Sequence, residues 1–191
     1  IYIKDRKLGI LEIEDFGNKK YSILFKKEKD KKKLYYRQAI KLLILLSYKK
    51  KPTFIKDYDY HILKNELDIY IRWGSNIQKN KKSLKDWDNI WRALLNSISY
   101  KKTSLVLRDF HVDNIFYLRD RKKLEKIGLI DFQDSLIGHP AYDLVSLLQD
   151  VRVFLSVKEQ KYFYNYYKKY AKNNKNEFTY AYLVLGTQRL F

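Results

Sequence analysis

The stretch from Leu105 to Asp150 constrains the fold more than any other part of this chain. Two short apolar runs, Leu105–Leu107 and Ile127–Ile130, each lead into an aspartate, Asp109 and Asp131. Runs this short, bounded by polar turn residues, predict buried strands. A third run, Ile115–Leu118, precedes the charged segment Arg119–Lys126, which predicts a hairpin with a polar tip. Gly138-His139-Pro140 then opens a helix at Ala141, because proline is tolerated in the first turn. Strand, loop, hairpin, loop and helix in this order make a mount for a site that needs fixed geometry.

The loop residues are specific. Asp109-Phe110-His111-Val112-Asp113-Asn114 has the spacing D-x-x-x-x-N, and Asp131-Phe132-Gln133-Asp134 follows the later strand. A protein that transfers a phosphoryl group must orient a hydroxyl and hold Mg²⁺ against phosphates. A recurrent solution is a loop Asp, an Asn five positions on, and a second Asp from a following loop. Those residue types occur here in that order. Arg108 stands where the Arg of an H-R-D loop would be, with Leu107 in place of its His. Either motif alone also fits an ordinary turn, in which Asp and Asn bond their own backbone. Together, on consecutive strands, they predict Asp109 as the base, with Arg108 beside it. Asn114 and Asp131 are expected to hold Mg²⁺ through hard oxygen donors, and Asp134 to support them. His111 and His139 are site candidates too, although a hydrogen-bonded structural histidine is the commoner case. Three His without Cys make no zinc site.

The wording LRDFHVDNIF…IGLIDFQDSLIGHPAYDL resembles the C-terminal lobe of the aminoglycoside-phosphotransferase-like kinases, a small-molecule branch of the protein-kinase-like fold. Within that family it is most similar to bacterial kinases that phosphorylate N-acetylmuramate and N-acetylglucosamine at the anomeric hydroxyl. Leu107-Arg108 departs from the His-Gly that opens this loop in many relatives. The similarity is dense over Leu105–Val151 and looser over Tyr58–Trp73 and Tyr182–Arg189. It implies an α+β fold: a mostly helical C-terminal lobe, with a small β-hairpin carrying the catalytic and metal-binding loops. It implies ATP and Mg²⁺ as cofactors and a small-molecule acceptor, an amino sugar of peptidoglycan recycling. Asp143 would buttress the catalytic loop. Glu14 and Asp15 would lie at the hinge that bonds adenine through backbone groups. Asp57, Asp59 and Glu66 would be candidates for sugar hydroxyls, and Arg189 would lie near the acceptor. The alternatives are an aminoglycoside-, choline- or homoserine-type kinase, or a kinase-like lobe that only binds.

Composition narrows these choices. A polycationic aminoglycoside would want an acidic pocket, and the chain has no dense acidic run. The net charge of +18 comes from lysines scattered in small runs through a Tyr- and Ile-rich chain. That distribution favours compositional bias over a dedicated nucleic-acid face, so no specific nucleic acid is expected. No window reaches the roughly 18 apolar residues of a membrane span, so no membrane is expected either. The absence of Cys suits a reducing cytoplasm, and oligomeric state is left open. The chain has no Met, and its six glycines never cluster as a phosphate-cradling loop. The expected organisation is therefore a fragment: residues 1–18 as the last strand of an N-terminal lobe and its hinge, and residues 19–191 as a C-terminal lobe truncated at both ends.

The remaining pattern is helical. Lys32–Tyr48 carries a broad apolar stripe (Leu34, Tyr35, Ala39, Leu42, Leu43, Ile44, Leu46), ended by lysines and Pro52. Tyr58–Trp73 follows, with Leu63, Leu67, Ile69, Tyr70 and Trp73 as its apolar stripe. Ser83 is predicted to cap a helix carrying Trp87, Ile90, Trp91, Leu94, Leu95 and Ile98. Lys158–Lys172 and Glu177–Phe191 are the last two helices, and Ile10–Asp15 alternates as a half-buried strand does.

Overall fold

A computed structural model describes residues 2–76, 80–99, 103–171 and 175–191. The chain begins with a hairpin of β1 (Ile3–Asp5) and β2 (Ile10–Glu12). A helix α1 (Tyr21–Lys27) and a 3₁₀ turn (Lys29–Lys31) lead into α2 (Lys32–Tyr48), then α3 (Tyr60–Trp73) and α4 (Lys81–Ser99). Strands β3 (Ser104–Val106), β4 (Ile115–Tyr117), β5 (Ile127–Leu129) and β6 (Leu136–Gly138) follow. Helices α5 (Ala141–Leu148), α6 (Val157–Tyr170) and α7 (Lys175–Gln188) complete a mixed α/β fold in which helix predominates.

The core forms around α2 and α5. Helix α2 buries Tyr35, Tyr36, Ala39, Ile40 and Leu43, positions three and four apart that share one face. That face packs on α6, β3 and α5. Tyr36 stacks between Phe25 and Phe163 at 4.9 and 4.7 Å between ring centroids. Helix α5 is buried along its whole length, Ala141–Leu148, and lies against α7. A helix apolar all round has no solvent face, so whatever polar group it carries must find a partner inside.

Several local readings need correction. The helix after residue 80 is capped by Asn80, whose Oδ1 accepts from the N–H groups of Lys82 and Ser83; Ser83 already lies inside it. Leu34, Ile69, Trp73 and Ile90, assigned to apolar stripes, are exposed. Helix α1 and strand β6 are additional elements. Strand β2 is shorter than Ile10–Asp15, and all three of its residues are exposed.

The sheet topology differs from a single hairpin carrying both loops. β4 and β5 pair antiparallel as expected, but β3 pairs with β6, Leu105 opposite Ile137. Segment Lys56–Tyr58 adds a third, parallel edge: Ile137 N–H donates to the Lys56 carbonyl at 2.8 Å and Tyr58 N–H to the Ile137 carbonyl at 2.7 Å. The loop after β3 and the loop after β5 thus belong to different sheets, and they meet at Asn114, through its side chain and its backbone carbonyl. No helix among the described residues is long and apolar enough to cross a membrane.

Candidate active site

Arg108 and Asp131 both take positive φ, 69° and 60°. Left-handed backbone is unfavourable for residues with a Cβ and persists where surrounding contacts over-determine it. At Arg108 the determinants are visible. The Asp109 N–H donates to the Leu107 carbonyl at 2.9 Å, closing a three-residue turn with Arg108 at its centre. The Asp143 carboxylate, on α5, accepts from the Leu107 N–H at 2.7 Å and from the Arg108 N–H at 3.0 Å. Ser146 Oγ donates to the Arg108 carbonyl at 3.4 Å. Further along, Asp150 Oδ2 accepts from the buried Val112 N–H at 3.0 Å. Two buried carboxylates seven residues apart therefore grip the loop on either side of Asp109.

That grip leaves the Asp109 side chain exposed, and its carboxylate makes no hydrogen bond to a described residue. Asn114 is 9 % exposed and lies under it: its Nδ2 donates to the Asp109 carbonyl at 3.1 Å and to Asp131 Oδ2 at 3.4 Å. The Ile130 N–H donates to the Asn114 carbonyl at 3.2 Å, which locks the start of β4 to the end of β5. His111 Nε2 stands 3.3 Å from the same Asn114 amide. Burial, then Arg152, lowers the His111 pKa and favours a neutral ring. Gln133 Nε2 donates to Asp131 Oδ1 at 2.6 Å and reaches Asp134 Oδ2 at 3.4 Å.

A polar cluster lies on the other side of Arg108. Its guanidinium donates to Glu66 Oε1 at 2.7 Å, while Glu66 Oε2 accepts from Tyr58 OH at 2.6 Å and from Gln188 Nε2 at 3.0 Å. Arg189 Nη1 donates to Tyr142 OH at 2.7 Å, and the Tyr142 and Tyr58 rings lie 5.0 Å apart. Burial raises both tyrosine pKa values, so their hydroxyls stay neutral. Burial also pushes the Asp143 carboxyl up to about 7, against the two backbone N–H donors that favour its charged form.

With this geometry in hand, residues 27–177 match the phosphotransferase enzyme family, APH. The chain belongs to that family. It is 29% identical over 167 residues to an N-acetylmuramate/N-acetylglucosamine kinase of Caulobacter vibrioides, covering 82% of this chain and 46% of the relative. A Neisseria meningitidis protein of the same name is 29% identical over 154 residues, covering 76% and 44%. A third, from Pseudomonas putida, is 23% identical over 159 residues, covering 80% and 44%. The chain spans a little under half the length of these curated relatives.

Within this phosphotransferase-family chain, Arg108, Asp109, His111, Asn114, Asp131 and Asp134 lie in the two loops, which Asn114 joins, with Asp143 behind. Glu66 and Arg189 join the polar cluster beneath Arg108, and both Glu66 oxygens are occupied there. Asp59 caps α3, accepting from the Ile62 N–H at 3.0 Å. Asp57 bridges to Ile137 through its backbone. Glu14 and Asp15 lie elsewhere, at the far end of the β4–β5 hairpin, where they line a cavity of about 330 Å³ with Arg119 and Arg121. Glu14 is held by the Arg121 guanidinium, and Asp15 Oδ1 accepts from the Gly17 N–H at 2.7 Å. Phe16 covers Gly128, where a Cβ would come within 2.7 Å of the ring.

The sequence reading missed Asp150, Tyr58 and a cavity of about 660 Å³ that opens between Arg108, Phe132–Ser135 and Phe54–Lys56. A second Asp seven residues after Asp143 was the available signal for the first. The cavity has no sequence signature, because its walls come from three separate segments. Asp131 and Asn114 fit Mg²⁺ by donor chemistry: an exposed carboxylate and an amide oxygen are hard ligands, and this ion takes one or two carboxylates with the rest from phosphates and water.

Proposed function

We propose that this chain is the C-terminal, acceptor-binding part of an ATP-dependent small-molecule kinase, with residues 1–18 as the last strand of an N-terminal lobe and the hinge and 19–191 as the catalytic lobe. The acceptor is the anomeric hydroxyl of N-acetylmuramate or N-acetylglucosamine, as in cytoplasmic recycling of cell-wall sugars. The observation that carries this reading is the junction at Asn114, whose amide lies 3.1 Å from the Asp109 carbonyl and 3.4 Å from the Asp131 carboxylate. Relatives named for these two sugars support the choice of acceptor.

In this reading Asp109 accepts the proton of the attacking hydroxyl as that oxygen bonds to phosphorus and the ADP oxygen leaves. Its exposure suits the task, since the carboxylate must meet a substrate and not a protein donor. Arg108 fixes the turn that aims it. Asn114 and Asp131 would hold Mg²⁺, which when bound would supply positive charge against the phosphates. The backbone of Glu14 and Asp15 serves adenine. The cavity beside Arg108 takes the acceptor, and Asp134 is the one carboxylate among its lining residues. That disfavours a polycationic aminoglycoside.

The test is a panel of amino sugars with ATP and Mg²⁺ on the full-length protein and its Asp109→Ala variant. Loss of a general base costs about 10²–10⁴-fold in kcat, with nucleotide affinity retained. Unchanged turnover removes Asp109 from the mechanism.

A further inference from the structure

Lys56 is a cation that the transfer machinery leaves unused. Its exposed side chain lines the 660 Å³ cavity, a volume in the usual range for small-molecule sites. The cavity's other cation, Arg108, is already neutralised by Glu66 at 2.7 Å. No ion pair links Lys56 to a described residue, and Asp134, across the same cavity, shares its charge only with the Gln133 amide. The other walls include Phe54, Ile62 and Phe132. An unneutralised ammonium lining a concave site draws an anion more strongly than a lysine on open surface, because the concavity focuses its field. This separates Lys56 from the many solvated lysines of a chain with net charge +18.

The backbone of Lys56 is also fixed relative to Asp109. Its carbonyl accepts from the Ile137 N–H at 2.8 Å, and the Tyr58 N–H returns a bond to Ile137 at 2.7 Å. Ile137 sits opposite Leu105 on β3, the strand that runs into the Asp109 loop. Only the side chain of Lys56 remains to be ordered when a ligand arrives.

We propose that Lys56 is the specificity-determining residue of the acceptor cavity and binds the carboxylate of an acidic amino sugar. The proposal rests on the kinase reading above. N-acetylmuramate differs from N-acetylglucosamine by a lactyl ether that carries one carboxylate, so the two sugars differ in the single charge that Lys56 complements. A mobile ammonium, in place of a bidentate guanidinium, gives preference without exclusion. That matches relatives named for both sugars.

The experiment measures kcat/KM for both sugars, and for the methyl ester of N-acetylmuramate, in the full-length protein, Lys56→Met and Lys56→Arg. One charge-assisted bond sets the scale, so Lys56→Met should lower the ratio of N-acetylmuramate to N-acetylglucosamine efficiency by about tenfold to a hundredfold. The loss should fall mainly in KM, Lys56→Arg should restore most of it, and the methyl ester should not respond to either substitution. An unchanged ratio, including a parallel fall on both sugars, overturns the proposal and leaves the kinase reading standing. A parent protein that phosphorylates neither sugar overturns both.

Discussion

The β1–β2 hairpin and the Asp109 loop are both short, turn-rich and flanked by apolar residues, yet they are held in opposite ways. The hairpin's bonds are local. Among the described residues β1 pairs only with β2, Asp5 Oδ1 accepts from Lys7 and Leu8, and Gly9 supplies the positive φ of the turn. Its apolar side chains, Ile3, Ile10 and Leu11 among them, face solvent. The loop's bonds are long-range. Its backbone is gripped by Asp143 and Asp150, 35 to 38 residues away, and its side chains reach Glu66, 42 residues away. Apolar content alone therefore does not fix a segment; position comes from polar groups delivered by an element that cannot itself move.

That element is α5, which carries Asp143 and ends just before Asp150, and damaging it should produce the largest effect. Leu147 is fully buried. Leu147→Ala should cost about 2–5 kcal/mol of stability in denaturant unfolding, the range for buried leucines whose cavities only partly collapse. If the cost is small, α5 is not the rigid member of the pair. Asp150→Ala comes next. It strips the buried Val112 N–H of its acceptor, an unpaired group that costs about 1–3 kcal/mol. Because Val112 lies between Asp109 and Asn114, turnover should fall together with stability. Turnover at the parental level, in a variant that has lost the stability, would uncouple the grip from the chemistry.

The third effect depends on pH. Burial places the Asp143 carboxyl near 7, above its value of about 4 in an unfolded chain. The folded state therefore binds the extra proton between pH 4 and 7, and the stability this group contributes declines as pH rises through that window. Activity should move the other way. A protonated carboxyl carries a hydrogen on one oxygen, which can no longer accept from a backbone N–H, so the Leu107–Arg108 turn loosens as pH falls below about 7. The kcat profile should show an acid limb there. Asp143→Asn, which resembles the protonated form, should be slow and lack that limb; a limb that survives belongs to another group.

The two candidate loops were legible because their residues are contiguous. Asp109, Asn114 and Asp131 needed only their spacing and the strand ends before them, and the β4–β5 hairpin needed only its charged tip. What escaped was set by distance along the chain. β6 carries just three residues, Leu136–Gly138, and becomes a strand by pairing with β3, some thirty positions earlier. Glu66 looked like a free carboxylate on a helix face, since nothing near it in sequence announces Arg108, Tyr58 and Gln188. Ser83 fits a cap by type, but Asn80 took the role because its side chain reaches the N–H groups of residues 82 and 83. Trp73 fits an apolar stripe, yet the buried face of α3 is set by Leu63, Leu67 and Ile71.

The smallest effect belongs to the hairpin, and it decides how general the contrast is. Leu11 is 52% exposed in β2, and its removal leaves no cavity in the chain described here. Leu11→Thr places a β-branched residue, well suited to a strand, at an exposed position, so its cost should lie within about 0.5 kcal/mol, as for surface sites without special contacts. The same substitution in a protein that also carries the proposed N-terminal lobe separates two origins of this apolar face. If the cost stays near zero, the hairpin is held by its own turn in both settings. If it rises above about 1 kcal/mol, another segment covers Leu11 there, and the hairpin is positioned, like the Asp109 loop, by residues distant in sequence.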